Sequence, residues 1–543
     1  MAVIKYSTKK VLIIEDQAAM CTQLKSMLEN LGIQDINVAK TGEDAIHKLN
    51  LQPYDIVLAD YELGRGKDGQ QVLEEARHTK LLKASSIFIL VTASQTVEMV
   101  MGALEYHPDG YIAKPMTFED LKTRLDRILK TKLIYYEINR AIDLNSIDGA
   151  LEACDQLILD QPKFALPTYR IKGRLLMDAH RMDEAEELYE TVIDIRKVAW
   201  ALLGMAKVMY YQSRYDEGRN ILQRLANSNE KYVEAFDWLA KIFEAQGNTK
   251  EAQKILQRAV ELSPKAILRQ QHLSKMAEIN DDWNVAVQAS RRSVDLGKHS
   301  CHKTPKSYLR LANALQPQLL DGGSRSKQNA TAEVFRTLED LKKEYNTDQD
   351  VQIRASLLEG NSYKNLGRND DAKTATAQAL KYYEALSEDP SPDLALEVGK
   401  GMVKNLDIEE AMNFINDPKQ QAMFDNNTND YLKEVVTKAN EEMVLENIDT
   451  FNNKGVELFE KDQLQESIDM FEQAASNDAA SLSIVLNTVQ AYVTFMQKKG
   501  PSEHAILKCS KHFTRLEKIP EDDKRHKRFR KLKIMFDELE KML

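Results

Sequence analysis

The chain has 543 residues, 43% of them hydrophobic and 29% charged, and a formal net charge of -10. That is the composition of a soluble globular protein, too long for one ordinary domain. An acidic balance lacks the broad basic face needed for charge-driven nucleic-acid binding, and no stretch approaches the ~20 apolar residues of a membrane span.

The N-terminal apolar run Val11 to Ile14 is shorter than a signal-peptide core and is closed by Glu15 and Asp16. The cysteines Cys21, Cys154, Cys301 and Cys509 are scattered without a C-x-x-C pair, which points to a reducing, cytoplasmic setting.

Val11–Ile14 reads as a first strand. Met20, Leu24, Met27, Leu28 and Leu31 follow at helical spacing. Ile36–Val38 is a second strand, and Thr41-Gly-Glu-Asp44 opens a helix with capping chemistry, ended by Pro53. A buried strand, Asp55 to Asp60, then runs into the glycine-rich loop Leu63 to Gly69. Further on come a helix over about 70–79, a strand at Ile87–Val91 and a helix over about 95–106. A strand at Gly110–Ala113 and a helix from Thr117 to about Lys130 complete the set. Five apolar strands alternating with helices predict an α/β doubly wound parallel sheet covered on both faces. Chemistry in such sheets sits at the carboxyl ends of the strands.

That edge gathers Glu15 and Asp16 from the first strand, Asp60 from the third, Thr92 from the fourth and Lys114 from the fifth. Crowded carboxylates repel one another and call for a hard divalent cation with oxygen ligands, Mg2+ above all. Asp60 is placed to attack a phosphoryl group and form an acyl phosphate. Lys114 can pair with the phosphoryl oxygens, and the Thr92 hydroxyl can donate to them.

Residues 8–130, with Glu15-Asp16, Asp60, Thr92-Ala93 and Lys114-Pro115 in that order, resemble the receiver domain of two-component response regulators, a flavodoxin-like fold. The resemblance implies that Asp60 is the phosphoacceptor. It also implies Mg2+ held by Glu15, Asp16, Asp60 and the backbone carbonyl of Glu62, and Tyr111 as the switch aromatic that swings inward as Thr92 closes on the phosphate. One departure is the loop after Asp60, where Leu63-Gly64-Arg65-Gly66 stands in place of the proline common in receivers. Gly64, Gly66 and Gly69 also spell G-x-G-x-x-G. Three residues separate the strand from the first glycine, and the next strand ends without the acid that would grip a ribose, so the match reads as chance.

Past residue 131 helical periodicity takes over. A small residue in one helix pairs with another twelve positions on: Gly173 with Ala185, Ala206 with Gly218, Ala240 with Ala252, Ser274 with Ala286, Gly360 with Ala372, Gly399 with Ala411 and Gly455 with Ser467. Ala206, Ala240 and Ser274 recur at the period of a known helix hairpin. Phe236, Leu239, Ala240, Phe243, Ala252, Leu256, Ala259 and Pro264 match the tetratricopeptide pattern. Residues 131–520 thus resemble a tetratricopeptide (TPR) array, an all-α solenoid of about seven or eight hairpins whose groove binds a partner protein. Long polar loops are expected at Gln316–Ala332, Ser387–Asp393 and Asn416–Asn429. His299-Ser300-Cys301-His302 reads as an ordinary helix connection, having no acid or further cysteine at ligand spacing. Residues 521–543 form a basic amphipathic capping helix.

The two parts together predict a response regulator with a repeat array as its output, receiving a phosphoryl group from a sensor histidine kinase. The combination resembles VieB-like regulators, which implies a partner in cyclic di-GMP signalling. The alternatives are a constitutive TPR scaffold whose receiver serves docking or homodimerisation, and RNA binding through the basic C-terminus. No P-loop, metalloprotease helix or catalytic Ser or Cys constellation predicts a separate enzyme activity.

Overall fold

The computed structural model describes residues 5–64, 66–93, 107–321, 324–406, 408–417, 420, 426–477 and 479–542. The helix expected over 95–106 lies outside them. The chain forms two compact units, Met1–Asn346 and Thr347–Leu543.

The first unit opens with five parallel strands in the order β2-β1-β3-β4-β5: β1 Lys10–Ile14, β2 Asp35–Ala39, β3 Ile56–Asp60, β4 Ile87–Thr92 and β5 Gly110–Ala113. The central strands β1, β3 and β4 are continuous apolar runs because both their faces are buried. Leu12, Ile14, Val57, Ala59, Phe88 and Leu90 point to one face. There they meet Ala45, Ile46 and Leu49 of the Gly42–Leu51 helix and Val72, Leu73 and Ala76 of the Gly69–His78 helix. The alternate residues Val11, Ile13, Ile56, Leu58, Ile89 and Val91 meet Leu24 and Leu28 of the Ala18–Asn30 helix and Leu121, Leu125 and Ile128 of the Phe118–Ile134 helix. Capping follows the residues: Thr41 accepts from Asp44 N, and Asp68 with Gln71 and Thr117 with Asp120 close capping boxes.

Helical hairpins begin directly after the Phe118–Ile134 helix. Tyr136–Asp143 packs on Ile147–Asp160, and the pattern continues through Ala199–Tyr211 on Tyr215–Ser228 and Val233–Ala245 on Thr249–Leu262 to Ile267–Ile279 on Trp283–Gly297. The small residues named above are buried where the paired helices approach. Ala206, Ala240, Ala252 and Ala286 are fully buried, as are Ala185, Ala372 and Ala411. Each early hairpin turns on one residue in the left-handed region: Asn145, His180, Ser213, Gly247 and Asp281 in succession.

The second unit continues the all-α architecture, from Gln349–Asn365 on Asn369–Glu384 to Leu482–Lys499 on Glu503–Leu516. The basic His526–Glu540 helix buries Leu532, Phe536 and Leu539 in the core with Phe513 and Met496, and its Arg528 bonds Gln490 and Asn487.

One expected loop is replaced largely by helix: Gln316–Asp321 and Ser324–Glu344 cover most of Gln316–Ala332. The 35-residue helix Asn426–Glu460 starts inside the third. In the first, the flanking apolar periodicity outweighs the polar composition. Gly322 and Gly323 themselves, and residues 421–425, lie outside the described residues. The Ser387–Asp393 connection stands, with Ser391 capping the Pro392–Asn405 helix.

Candidate phosphoacceptor site

Each strand delivers its residue to one edge through register alone. Ile14 pairs with Ala59, so Glu15 and Asp60 emerge side by side. Asp60 pairs with Val91, and Thr92 with Ala113, which sets Lys114 opposite the acids. Glu15 is fully buried, Asp60 is 6% exposed and Asp16 faces solvent. Carboxylate oxygens of Glu15, Asp16 and Asp60 lie within 4.8 Å of one another. The Lys114 ammonium bridges the two buried members, 2.8 Å from Glu15 Oε2 and 2.9 Å from Asp60 Oδ2. Burial acts to lower the Lys114 pKa, but the hydrogen bonds it donates to Glu15 and Asp60 outweigh it and raise the pKa above its usual value.

Two carboxylates against one ammonium leave a surplus of negative charge at a nearly dry point, with the exposed Asp16 adding to it. An all-oxygen donor set of this kind fits a hard divalent cation. Asp16 Oδ2 also accepts from Gly64 N at 3.2 Å, tying the loop after Asp60 to the acid pair. Glu62, whose carbonyl was expected to contribute, lies exposed in that loop. Thr92 closes β4 at the same edge, half-buried. Tyr111 is half-buried against the core, and its buried hydroxyl has no hydrogen-bond partner among the described residues. Desolvation raises its pKa. An aromatic whose polar end is unsatisfied gains by moving to a place where that end is paired.

The glycine-rich loop has its own physical account. A Cβ on Gly69 would stand 2.0 Å from the Asp60 carbonyl oxygen, so only glycine lets the helix start that close to β3. Gly66 has φ +95, and a Cβ there would meet the Glu43 carboxylate at 2.6 Å. Glu43 Oε1 accepts from Lys67 N at 3.0 Å. The glycines thus serve a tight turn beside Asp60.

Sequence reasoning missed what lies beyond this loop. Within the first unit the loop and the Gly69–His78 helix dock directly on the repeats. Lys67 Nζ donates to the His299 carbonyl at 2.9 Å, and Ser300 Oγ donates to Glu74 Oε2 at 3.1 Å. The Lys265 ammonium lies 5.7 Å from the centre of the ring of Tyr61, the residue next to Asp60. Ala84 N and Ser85 Oγ donate to Asp143 at 2.6 and 2.8 Å. A cavity of about 540 Å³ is lined by Arg77 of the same receiver helix and by Arg170, Arg174, Lys207, Trp200 and Trp238 of the repeats, among others. The contacts of Lys67 and Glu74 join residues 232 and 226 positions apart, and no pairing rule in one sequence links such positions.

The family described as response regulator receiver domain matches residues 11–126, and that described as tetratricopeptide repeat matches residues 203–267. The chain is 30% identical over 130 residues to chemotaxis protein CheY-3 of Vibrio cholerae serotype O1, covering 24% of this chain and 98% of that protein. It is 30% identical over 122 residues to the alkaline phosphatase synthesis transcriptional regulatory protein PhoP of Bacillus subtilis, covering 22% of this chain and 49% of that one. Among solved structures, the signal receiver domain of a modulated diguanylate cyclase from Desulfovibrio desulfuricans G20 is 28% identical. That match covers 23% of this chain and 97% of that chain, with a TM-score of 0.22. The N-terminal segment has the fold, the strand-edge residues and the relatives of a receiver: the chain belongs to the response-regulator family and carries TPR repeats behind its receiver domain.

Proposed function

We propose that the protein is a phosphorylation-controlled adaptor: a histidine kinase donates a phosphoryl group to Asp60, and the change is passed to the repeat array that binds a partner protein. The observation that carries this reading is the Lys114 ammonium held by two buried carboxylates, beside a loop that touches the array. An Asp60 oxygen attacks the phosphorus as the bond to the donor's histidine nitrogen breaks, leaving an acyl phosphate. Glu15, Asp16, Asp60 and the Glu62 carbonyl would hold Mg2+, which when bound offsets the charge of the incoming phosphoryl oxygens. Lys114 gives up its contact with Asp60 and pairs with the new oxygens, and Thr92 donates to one of them. Tyr111 fills the space Thr92 leaves.

The array is reached by a short path. Asp60 adjoins Tyr61, which faces Lys265. The loop then leads through Lys67 to His299, and the helix through Glu74 to Ser300. A group carrying about two negative charges placed at the head of this path biases the docking of the helix. The chain performs no enzyme chemistry beyond its own phosphoryl acceptance and loss, and acts in the cytoplasm. Among the described residues no helix is long and apolar enough to cross a membrane. The resemblance to VieB-like regulators makes a protein of cyclic di-GMP signalling the partner to try first.

Intact-mass analysis after incubation with acetyl phosphate and Mg2+ tests the chemistry. The expected result is the gain of one phosphoryl group by the wild type and none by Asp60→Ala. An unchanged wild-type mass with a competent donor refutes the reading and leaves a constitutive adaptor.

A further inference from the structure

The connection that reads in sequence as an ordinary loop acquires in three dimensions the acid it lacks. Glu74 of the receiver helix reaches the His299–His302 segment, and a carboxylate oxygen of Glu74, Sγ of Cys301 and a ring nitrogen of His302 lie within 4.8 Å of one another. Glu74 is 6% exposed. Its Oε2 accepts from Ser300 Oγ at 3.1 Å, which orients the carboxylate. Its Oε1 is buried without a hydrogen-bond partner among the described residues, with His302 Nε2 3.4 Å away. A buried carboxylate oxygen left unmatched is costly, and this one faces the imidazole. Ligands of a tetrahedral zinc ion stand about 3.3–3.8 Å from one another, so the Glu74–His302 spacing already fits.

His78 lies one helical turn beyond Glu74, and its ring centre is 5.0 Å from that of His302. Two residues on one face of a receiver helix therefore meet two adjacent residues of a repeat connection. Mixed sulfur, nitrogen and oxygen donors select zinc over the hard cation suited to the Asp60 pocket. We propose that Glu74, Cys301 and His302 form a zinc site that clips the receiver to the repeat array, with His78 beside the open fourth position. The inference rests on the contact between the two parts, not on phosphorylation of Asp60.

The test is Co2+ titration of the full chain after removal of metal by a chelator. The expected result is a thiolate-to-cobalt charge-transfer absorption with the strong visible bands of four-coordinate cobalt, displaced by one equivalent of Zn2+. The Asp60 pocket offers only oxygen and cannot produce the thiolate band. Cys301→Ser should abolish the band, and the isosteric Glu74→Gln should weaken zinc binding by at least about 100-fold, more than loss of an outer-shell partner usually costs. Circular dichroism confirms that each variant is folded. Cobalt uptake without a thiolate band in the wild type, or a band that survives in Cys301→Ser, overturns the proposal, and neither result depends on whether Asp60 accepts a phosphoryl group.

Discussion

At Lys114 the side chain reconciles two acids that the sheet register forces together. Replacing it by methionine leaves Glu15 and Asp60 facing each other, nearly dry and uncompensated. Loss of one partner from a buried ion pair costs on the order of 3 kcal/mol, so Lys114→Met should lower the melting temperature of the metal-free protein, and added Mg2+ should restore part of it. Melting curves with chelator and with Mg2+ make the comparison. An equal drop under both conditions would contradict the electrostatic origin. The pH dependence has a definite sign. The Lys114 pKa is raised above its usual 10.5, so its pairing stabilises the fold fully below that pH and the contribution fades as pH rises through the elevated value. The residues of this pocket were legible in sequence because each closes an apolar run, and strand ends in a parallel sheet converge on one edge. Glu74 and Ser300 were illegible for the opposite reason: one sits in mid-helix, the other in a connection, and only packing unites them.

Among the elements, the strands were readable almost to the residue. An apolar run of only four to six residues, rich in Ile and Val, favours a buried strand over a helix by its length and its boundaries. The hairpins were readable through their small residues, but their turns were not: His180, Ser213 and Asp281 adopt left-handed geometry without glycine to announce it. The small residues also hide a finer demand. A Cβ on Gly204 would come within 2.3 Å of the Tyr189 ring, and one on Gly173 within 2.8 Å of the same ring. Tyr189 thus fills a slot between two glycines from neighbouring helices. Gly204→Ala should overpack that slot and destabilise the first unit by roughly 1–3 kcal/mol, while Gly247→Ala, at a turn with no neighbour to meet, should act only through its positive φ. Denaturant titration of both variants distinguishes the mechanisms: Tyr189→Leu should rescue the first and leave the second unchanged.

Over the whole molecule, two routes join the receiver to the repeats. The covalent path through the Phe118–Ile134 helix is present, and Tyr136–Asp143 follows it directly. A second, non-covalent path leaves from the loop beside Asp60 and ends on the connection around His299–His302. It bypasses the fifth strand altogether and lies within a single compact unit. On the proposed function, a phosphoryl group on Asp60 adjusts this loop, which begins at Tyr61 facing Lys265 and brings Gly69 against the Asp60 backbone carbonyl.

Hydrogen–deuterium exchange of the full chain, with and without acetyl phosphate and Mg2+, measures that adjustment directly. Phosphorylated wild-type protein should exchange faster over residues 67–78 and 297–304, with no such change in Asp60→Ala. Complete phosphorylation by mass with unaltered exchange in both segments would contradict a signal passed through this contact.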